Sequence, residues 1–147
     1  EKLAIVSPKV QTTRHRIKAF VTTDDYQVIF SDTPGIIEPK YKLHEKMMQS
    51  VKNALEDADV ALLVVDVNDA WDALDLIFSS LHLKVPSIVV LNKTDMAQGD
   101  TVKRASQYFK EKSYVKEVIS ISALNAQDGP RLLDKILQYM VLLRNQI

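Results

Sequence analysis

The 147-residue sequence has no cysteine, which excludes disulfide frameworks and thiolate zinc sites and fits a reducing compartment. Its longest apolar runs, such as Val60 to Val65, are far too short to span a bilayer. Basic and acidic residues number 19 each, so no overall charge attracts nucleic acid or a membrane, although a local basic patch is still allowed. The 3 histidines lack metal-ligand spacing. These absences leave one ordinary domain, for which we expect a cytoplasmic location.

What the sequence does contain is the pattern of a globular α/β domain, with 46% apolar and 26% charged residues. Apolar periodicity predicts strands at Ile17–Thr23, Tyr26–Ser31, Val60–Asp66, Ser87–Leu91 and Val118–Ser122, the first two forming a hairpin through Asp24-Asp25. It predicts helices at Lys42–Ala58, Asp72–Leu83, Thr101–Lys112 and Leu132–Leu143. This alternation indicates a mostly parallel sheet flanked by helices, whose ligands bind at the carboxyl ends of the strands.

The tetrapeptide Asn92-Lys93-Thr94-Asp95 directly follows the strand Ser87–Leu91. A carboxylate at Asp95 can accept hydrogen bonds from guanine N1–H and from the exocyclic amine, a donor pair that adenine lacks, and each such charge-assisted bond is worth roughly 1.5–3 kcal/mol. Lys93 can lay its methylene stem across the purine face, and Asn92 can tie the loop together. Taken alone, the same residues also fit a polar turn that ends a strand.

A second segment, Ser122-Ala123-Leu124, ends the last predicted strand about thirty residues later. In GTPases a Ser-Ala-x segment at this place supplies a backbone N–H to the base oxygen. Three residues of these types occur often by chance. Their order and spacing after the Asn-Lys-x-Asp motif make the two segments together indicate a guanine site.

A third segment, Asp32-Thr33-Pro34-Gly35, ends the strand Tyr26–Ser31. A carboxylate at a strand end can hold a water of an octahedral Mg²⁺. Gly35 lacks a Cβ, so its N–H can approach a terminal phosphate and the loop can move on hydrolysis. The alternative is a Thr-Pro-Gly turn with an aspartate cap. The other two motifs, in the correct order, favour the metal and phosphate interpretation.

The hexapeptide Gln11-Thr12-Thr13-Arg14-His15-Arg16 indicates which group of GTPases the sequence resembles. Followed by a hairpin and the three motifs above, it resembles the Era family of the TrmE–Era group of bacterial GTPases from Glu1 to about Leu137. The resemblance implies a Ras-like P-loop NTPase G-domain over residues 1–147 that binds GTP or GDP with Mg²⁺. It implies nucleotide contacts by Asn92, Lys93, Asp95, Ser122, Ala123, Leu124 and Gly35, and metal ligation by Asp32 and Thr13, with Thr12 as the alternative.

No catalytic side chain follows from the resemblance. Ile36 stands where many GTPases carry a glutamine that orients the attacking water. We therefore expect slow intrinsic hydrolysis, with the water positioned by some group other than the side chain of residue 36.

The phosphate-binding P-loop, Gly-x-x-x-x-Gly-Lys-Ser/Thr, does not occur in the 147 residues, because none of the 3 glycines precedes a lysine. We therefore expect a G-domain that is incomplete on its N-terminal side, beginning just after the first helix. Its first strand would then be missing, which leaves a gap between the strands Tyr26–Ser31 and Val60–Val65 unless Leu3–Ser7 serves as a substitute strand. The sequence also contains no Gly-x-x-Gly loop of the KH domain that Era proteins carry.

Three hypotheses follow for function. The favoured one is a portion of a working Era-type GTPase, whose hydrolysis of GTP to GDP controls binding to small-subunit 16S rRNA during ribosome assembly. Peripheral membrane association is compatible with the resemblance, and the oligomeric state is open. The second is a non-hydrolysing interaction module with weak or no nucleotide binding. The third, a rearranged G-domain, requires a P-loop elsewhere in the chain, which the sequence lacks.

Overall fold

A computed structural model gives the architecture of the chain. It describes the backbone of residues 2–6, 17–22, 27–32, 49, 52–53, 55–122, 125 and 127–145, and the side chains of residues 27, 29, 49, 52–53, 55–122, 125 and 127–140. The strands are Lys2–Val6 (β1), Ile17–Thr22 (β2), Gln27–Asp32 (β3), Val60–Asp66 (β4), Ser87–Asn92 (β5) and Val115–Ser120 (β6). The helices are Trp71–Ser80 (α1), Thr101–Lys110 (α2) and Asp128–Asn145 (α3), with a 3₁₀ turn at Thr94–Met96.

The strands form one sheet in the order β2-β3-β1-β4-β5-β6. Every neighbouring pair is parallel except β2 and β3, which are antiparallel from the pair Ile17 and Asp32 to the pair Thr22 and Gln27. The predicted mainly parallel α/β sheet is confirmed. The predicted turn at Asp24-Asp25 lies outside the described residues, as does most of the predicted helix Lys42–Ala58, which is helical at residues 49, 52–53 and 55–56.

Strand β1 fills the central position between β3 and β4. Leu3 is in register with Phe30 on one side and with Val60 on the other, both in parallel pairing. The sequence predicted either a gap at this position or a substitute strand at Leu3–Ser7. The structure forms that substitute strand, with bounds Lys2–Val6, because a central strand satisfies the backbone N–H and C=O groups on both of its neighbours.

The core lies on both faces of β4 and β5. Alternate residues of a strand point to opposite faces, so Leu63 and Val65 pack against the α1 and α2 side, where Phe78 and Phe109 are fully buried. Val60 and Leu62 pack against α3 on the other side, in a cluster with Ile136 and Met140. Burial on both faces explains why these two strands read as uninterrupted apolar runs.

Three element boundaries differ from the sequence-based expectations by three residues or more. Helix α1 ends at Ser80 rather than Leu83, since the backbone turns into the left-handed region at His82, where φ is 49°. Strand β6 is Val115–Ser120 rather than Val118–Ser122, and the Ser122 N–H bonds to a side chain instead of a neighbouring strand. Helix α3 begins at Asp128 rather than Leu132, which places Pro130 in the first turn, where its missing N–H costs little.

In the described part of the chain, no helix has the length and apolar character needed to cross a bilayer. A cavity of about 220 Å³ lies at the amino edge of the sheet, between the segment around Leu55 and the loop from Leu81 to Val85 that leads into β5. None of the motif residues lines it. The motif residues Asn92 to Asp95 and Ser122 lie at the carboxyl ends of β5 and β6, on the opposite edge of the sheet.

Candidate functional site

The loops that follow β5 and β6 are joined directly. The Ile121 N–H donates to the Leu91 carbonyl at 2.8 Å. The Thr94 hydroxyl donates to the Ile121 carbonyl at 2.9 Å, and the Thr94 N–H reaches the same oxygen at 3.3 Å. Thr94, the variable position of Asn-Lys-x-Asp, therefore ties the two motif-bearing loops together. The motif pattern gives this position no role, so the sequence did not reveal it.

The two predicted guanine-contacting segments meet at Asp95 and Ser122. The Ser122 hydroxyl donates to Asp95 Oδ1 at 2.7 Å, and Ser122 is only 7% exposed, whereas Asp95 is exposed. The bond uses Oδ1, one of the two oxygens of the carboxylate, and the residue as a whole is exposed. A buried hydroxyl thus orients an exposed carboxylate, each of whose oxygens can accept more than one hydrogen bond.

Ser122 is itself held from behind by Asp128, the first residue of α3. Asp128 Oδ2 accepts the Ser122 N–H at 2.7 Å, and Oδ1 lies 3.3 Å from Arg131 Nε. The Arg131 guanidinium also donates to the Ser120 carbonyl. The bond from the Ser122 N–H, aided by Arg131, holds the pKa of Asp128 below its ordinary value of 3.8, against the opposing effect of desolvation.

Lys93 adopts an unusual backbone conformation. Its φ of 60° and ψ of 34° lie in the left-handed region, which residues with a Cβ seldom adopt and which recurs at functional sites. The conformation reverses the chain after β5, and the Met96 N–H then closes on the Lys93 carbonyl at 3.0 Å. Lys93 Nζ lies 3.1 Å from Asp66 Oδ2, so the side chain extends over the end of β4.

Asp66, the last residue of β4, organises the loop that receives Lys93. Its Oδ1 accepts the Asn68 N–H at 2.9 Å, and its carbonyl accepts the Asp69 N–H at 2.9 Å. Burial and the neighbouring Asp66 carboxylate raise the pKa of Asp69, while Lys93 acts in the opposite direction. The lysine therefore offsets the repulsion between two carboxylates. The sequence did not single out Asp66, because its role depends on a neighbouring strand.

Asn92 is the last residue of β5 and is in register with Asp66. Its carbonyl accepts the Val67 N–H at 3.1 Å, which closes the ends of β4 and β5 together. The predicted residue is therefore at the carboxyl edge of the sheet, beside the ion pair of Lys93 and Asp66.

The phosphate and metal side of the prediction falls largely outside the described residues, which include neither Thr12, Thr13, Gly35 and Ile36 nor Ala123 and Leu124. The backbone of Asp32 ends β3 and is level with Ile5 and Leu62, so β4 continues four residues past it, to Asp66. Among the residues whose side chains are described, no three acidic or histidine groups cluster as a metal site would require. The metal ligands remain predictions.

Comparison with known proteins identifies the family. A family model described as 50S ribosome-binding GTPase matches residues 1–93. GTPase Era from Caldanaerobacter subterraneus subsp. tengcongensis is 39% identical over 142 residues, covering 95% of this chain and 48% of that protein. The chain belongs to the Era family of GTPases. Era from Clostridium perfringens strain 13 is 38% identical over 142 residues, with the same coverage.

Solved structures of Era share the fold. The crystal structure of Era in complex with MgGDPNP and nucleotides 1506–1542 of 16S ribosomal RNA matches with a TM-score of 0.81 and 30% identity, covering 94% of this chain and 56% of that one. An Aquifex aeolicus Era variant bound to GDP and AlF4⁻ matches with a TM-score of 0.80 and 31% identity over the same shares. The chain spans about half the length of the Era proteins it matches. It is an Era-family G-domain, as the motif order predicted.

Proposed function

We propose that this Era-family domain binds guanine nucleotides at the carboxyl edge of its sheet, through the paired loops that follow β5 and β6. The observation that carries the proposal is the bond from the Ser122 hydroxyl to Asp95. It joins two motifs that lie 27 residues apart in the sequence. A polar turn that merely ends a strand has no need of an exposed carboxylate oriented by a buried hydroxyl on another loop.

In the proposed complex, the Asp95 carboxylate accepts hydrogen bonds from guanine N1–H and the exocyclic amine. Lys93 covers the purine face with its methylene stem, and its left-handed backbone is a local cost that supports this interpretation. Ala123 supplies an N–H to the base oxygen. A site built around a donor pair can reject a base that lacks the pair by about 10⁴-fold or more.

The phosphates would lie toward β3, where Asp32 and Thr13 are proposed to hold Mg²⁺ and Gly35 to approach the terminal phosphate. Strands β1 and β4 separate β3 from β5, which places the two strands about 14 Å apart at the usual spacing of about 4.8 Å. An elongated ligand with a base at one end and phosphates at the other suits that separation. The full gene product is proposed to hydrolyse GTP slowly, because Ile36 has no group that orients water.

The biological role proposed for the full gene product is nucleotide-controlled binding to 16S rRNA of the small ribosomal subunit. The support is the solved Era complex that holds both a GTP analogue and a 16S rRNA segment. That complex has 30% identity to this chain. The rRNA contact is a proposal for the gene product as a whole rather than for these 147 residues.

Fluorescent GDP and ADP analogues test the guanine proposal on the full gene product with Mg²⁺. We expect GDP to bind with a preference over ADP of about 10⁴-fold or more, and Asp95→Ala to remove most of it. Asp100→Ala is the matched control, because Asp100 is an exposed carboxylate nearby that pairs with Arg104 instead of with Ser122. Equal binding of GDP and ADP, or loss of preference in both variants, would contradict the proposal. No binding of either nucleotide would favour the interaction module.

A further inference from the structure

Asp128 lies behind the candidate site rather than in it. Two hydrogen bonds connect α3 to the candidate base-contacting carboxylate in series. Asp128 Oδ2 accepts the Ser122 N–H at 2.7 Å, and the Ser122 hydroxyl donates to Asp95 Oδ1 at 2.7 Å. Both groups of Ser122 that can donate a hydrogen bond are therefore used, one toward the helix and one toward the site.

The contacts of the Asp128 carboxylate differ from those of an aspartate that caps a helix. A capping aspartate accepts hydrogen bonds from N–H groups of the first turn. Here one oxygen bonds to a backbone N–H six residues earlier, and the other bonds to the side chain of Arg131. Arg131 in turn donates to the Ser120 carbonyl at the end of β6. Arg131 thus holds the Asp128 carboxylate and also bonds to the end of β6, while the other oxygen of Asp128 holds Ser122.

We propose that Asp128 is a positioning residue for guanine recognition, which fixes Ser122 so that Ser122 holds Asp95 in one rotamer. The inference rests on the proposed guanine-binding function. Asp128 itself makes no contact with the base. A carboxylate held in one rotamer can accept from N1–H and from the exocyclic amine at the same time, so loss of that orientation weakens a base with both donors more than a base with N1–H alone.

Inosine diphosphate separates positioning from general damage, since hypoxanthine keeps N1–H and lacks the exocyclic amine. In the full gene product, we expect Asp128→Ala to lower GDP affinity about tenfold, the equivalent of losing one charge-assisted hydrogen bond. IDP affinity should fall less, so that the preference for GDP over IDP shrinks. Asp128→Asn keeps an oxygen that can accept the Ser122 N–H, so it should retain most of the preference.

Asp134→Ala is the matched control, because Asp134 is an exposed aspartate of the same helix. It should leave the affinities for both nucleotides unchanged. Far-UV circular dichroism of each variant shows whether the fold is retained. If Asp128→Ala does not fold, the comparison of Asp128→Asn with Arg131→Met takes its place. Arg131→Met should then reduce the preference for GDP over IDP more than Asp128→Asn does.

NMR of the nucleotide-free protein provides a second readout. Asp128→Ala should shift the Ser122 amide proton and the carboxyl carbon of Asp95, and Asp128→Asn should shift the Asp95 carbon much less. If the wild type binds neither GDP nor IDP, the proposed function fails, while these resonances still decide the coupling from Asp128 to Asp95. An unmoved Asp95 signal in Asp128→Ala, or an equal loss of GDP and IDP affinity, would overturn the inference.

Discussion

The left-handed backbone at Lys93 predicts that stability and nucleotide binding can be separated at this one residue. At φ 60° a side chain with a Cβ costs roughly 1–2 kcal/mol, a cost that glycine avoids. Glycine in turn loses about 0.5–1 kcal/mol relative to alanine through the greater freedom of its unfolded chain. Lys93→Gly should therefore be more stable than Lys93→Ala by about 0.5–1 kcal/mol.

Both substitutions also remove the ion pair with Asp66. Lys93 is 43% exposed and Asp66 is 25% exposed, so solvent screens the pair and we expect a loss of about 0.5 kcal/mol. The stability of Lys93→Gly should then be close to that of the wild type, and Lys93→Ala should be less stable than both.

Urea unfolding at a constant m-value measures the order of stability of the three proteins, and GDP titration measures function. Both variants lack the methylene stem that covers the purine face, and at about 0.8 kcal/mol per buried methylene we expect GDP affinity to fall about fivefold or more in each. Equal stability of the glycine and alanine variants would refute the strain argument. Unchanged GDP affinity in either variant would refute the proposed stacking.

Three further predictions concern bonds around the site and on α1. Thr94→Val removes the hydroxyl bond between the two loops and should lower the free energy of unfolding by about 0.5–1 kcal/mol, since the main-chain bond remains. It should weaken GDP binding more than the control Thr101→Val, which removes a hydroxyl bond within one turn. Because the pKa of Asp128 is lowered in the folded state, its stabilising effect is present above about pH 4 and is lost as the pH falls through the folded-state pKa. Asp128→Asn should therefore lose less stability than the wild type when the pH is lowered below pH ~4. Burial and the bond to Asp75, 2.8 Å long, raise the pKa of Tyr114, so its ultraviolet titration should begin well above that of a free tyrosine, and an ordinary tyrosine titration would contradict the contact.

The sequence predicts the elements that are buried on both faces. Strands β4 and β5 were predicted to within one residue, because their unbroken apolar runs match burial on both faces. The start of β6 was not, since Lys116 and Glu117 are exposed and carry no apolar signal. The start of α3 was hidden by Gly129 and Pro130, which are typical of a turn but lie in its first turn.

The candidate site could also be predicted only in part from the sequence. The order of motifs predicts that Asp95 and Ser122 belong to one site, and the structure places them in contact. The supporting roles of Thr94, Asp66 and Asp128 could not be predicted, because each acts on a partner that only the folded chain brings near. Asp66, for example, meets Lys93 through the pairing of β4 with β5.

The most direct test of guanine recognition by Asp95 is the base specificity of Asp95→Asn. Xanthine carries a carbonyl oxygen where guanine carries its exocyclic amine, and an asparagine amide can donate to that oxygen while its own carbonyl accepts from N1–H. In a competition titration of the full gene product, we predict that the wild type prefers GDP over XDP and that Asp95→Asn reverses the preference. A variant that keeps the wild-type order, with GDP bound as tightly as before, would contradict the assignment of Asp95 to the base.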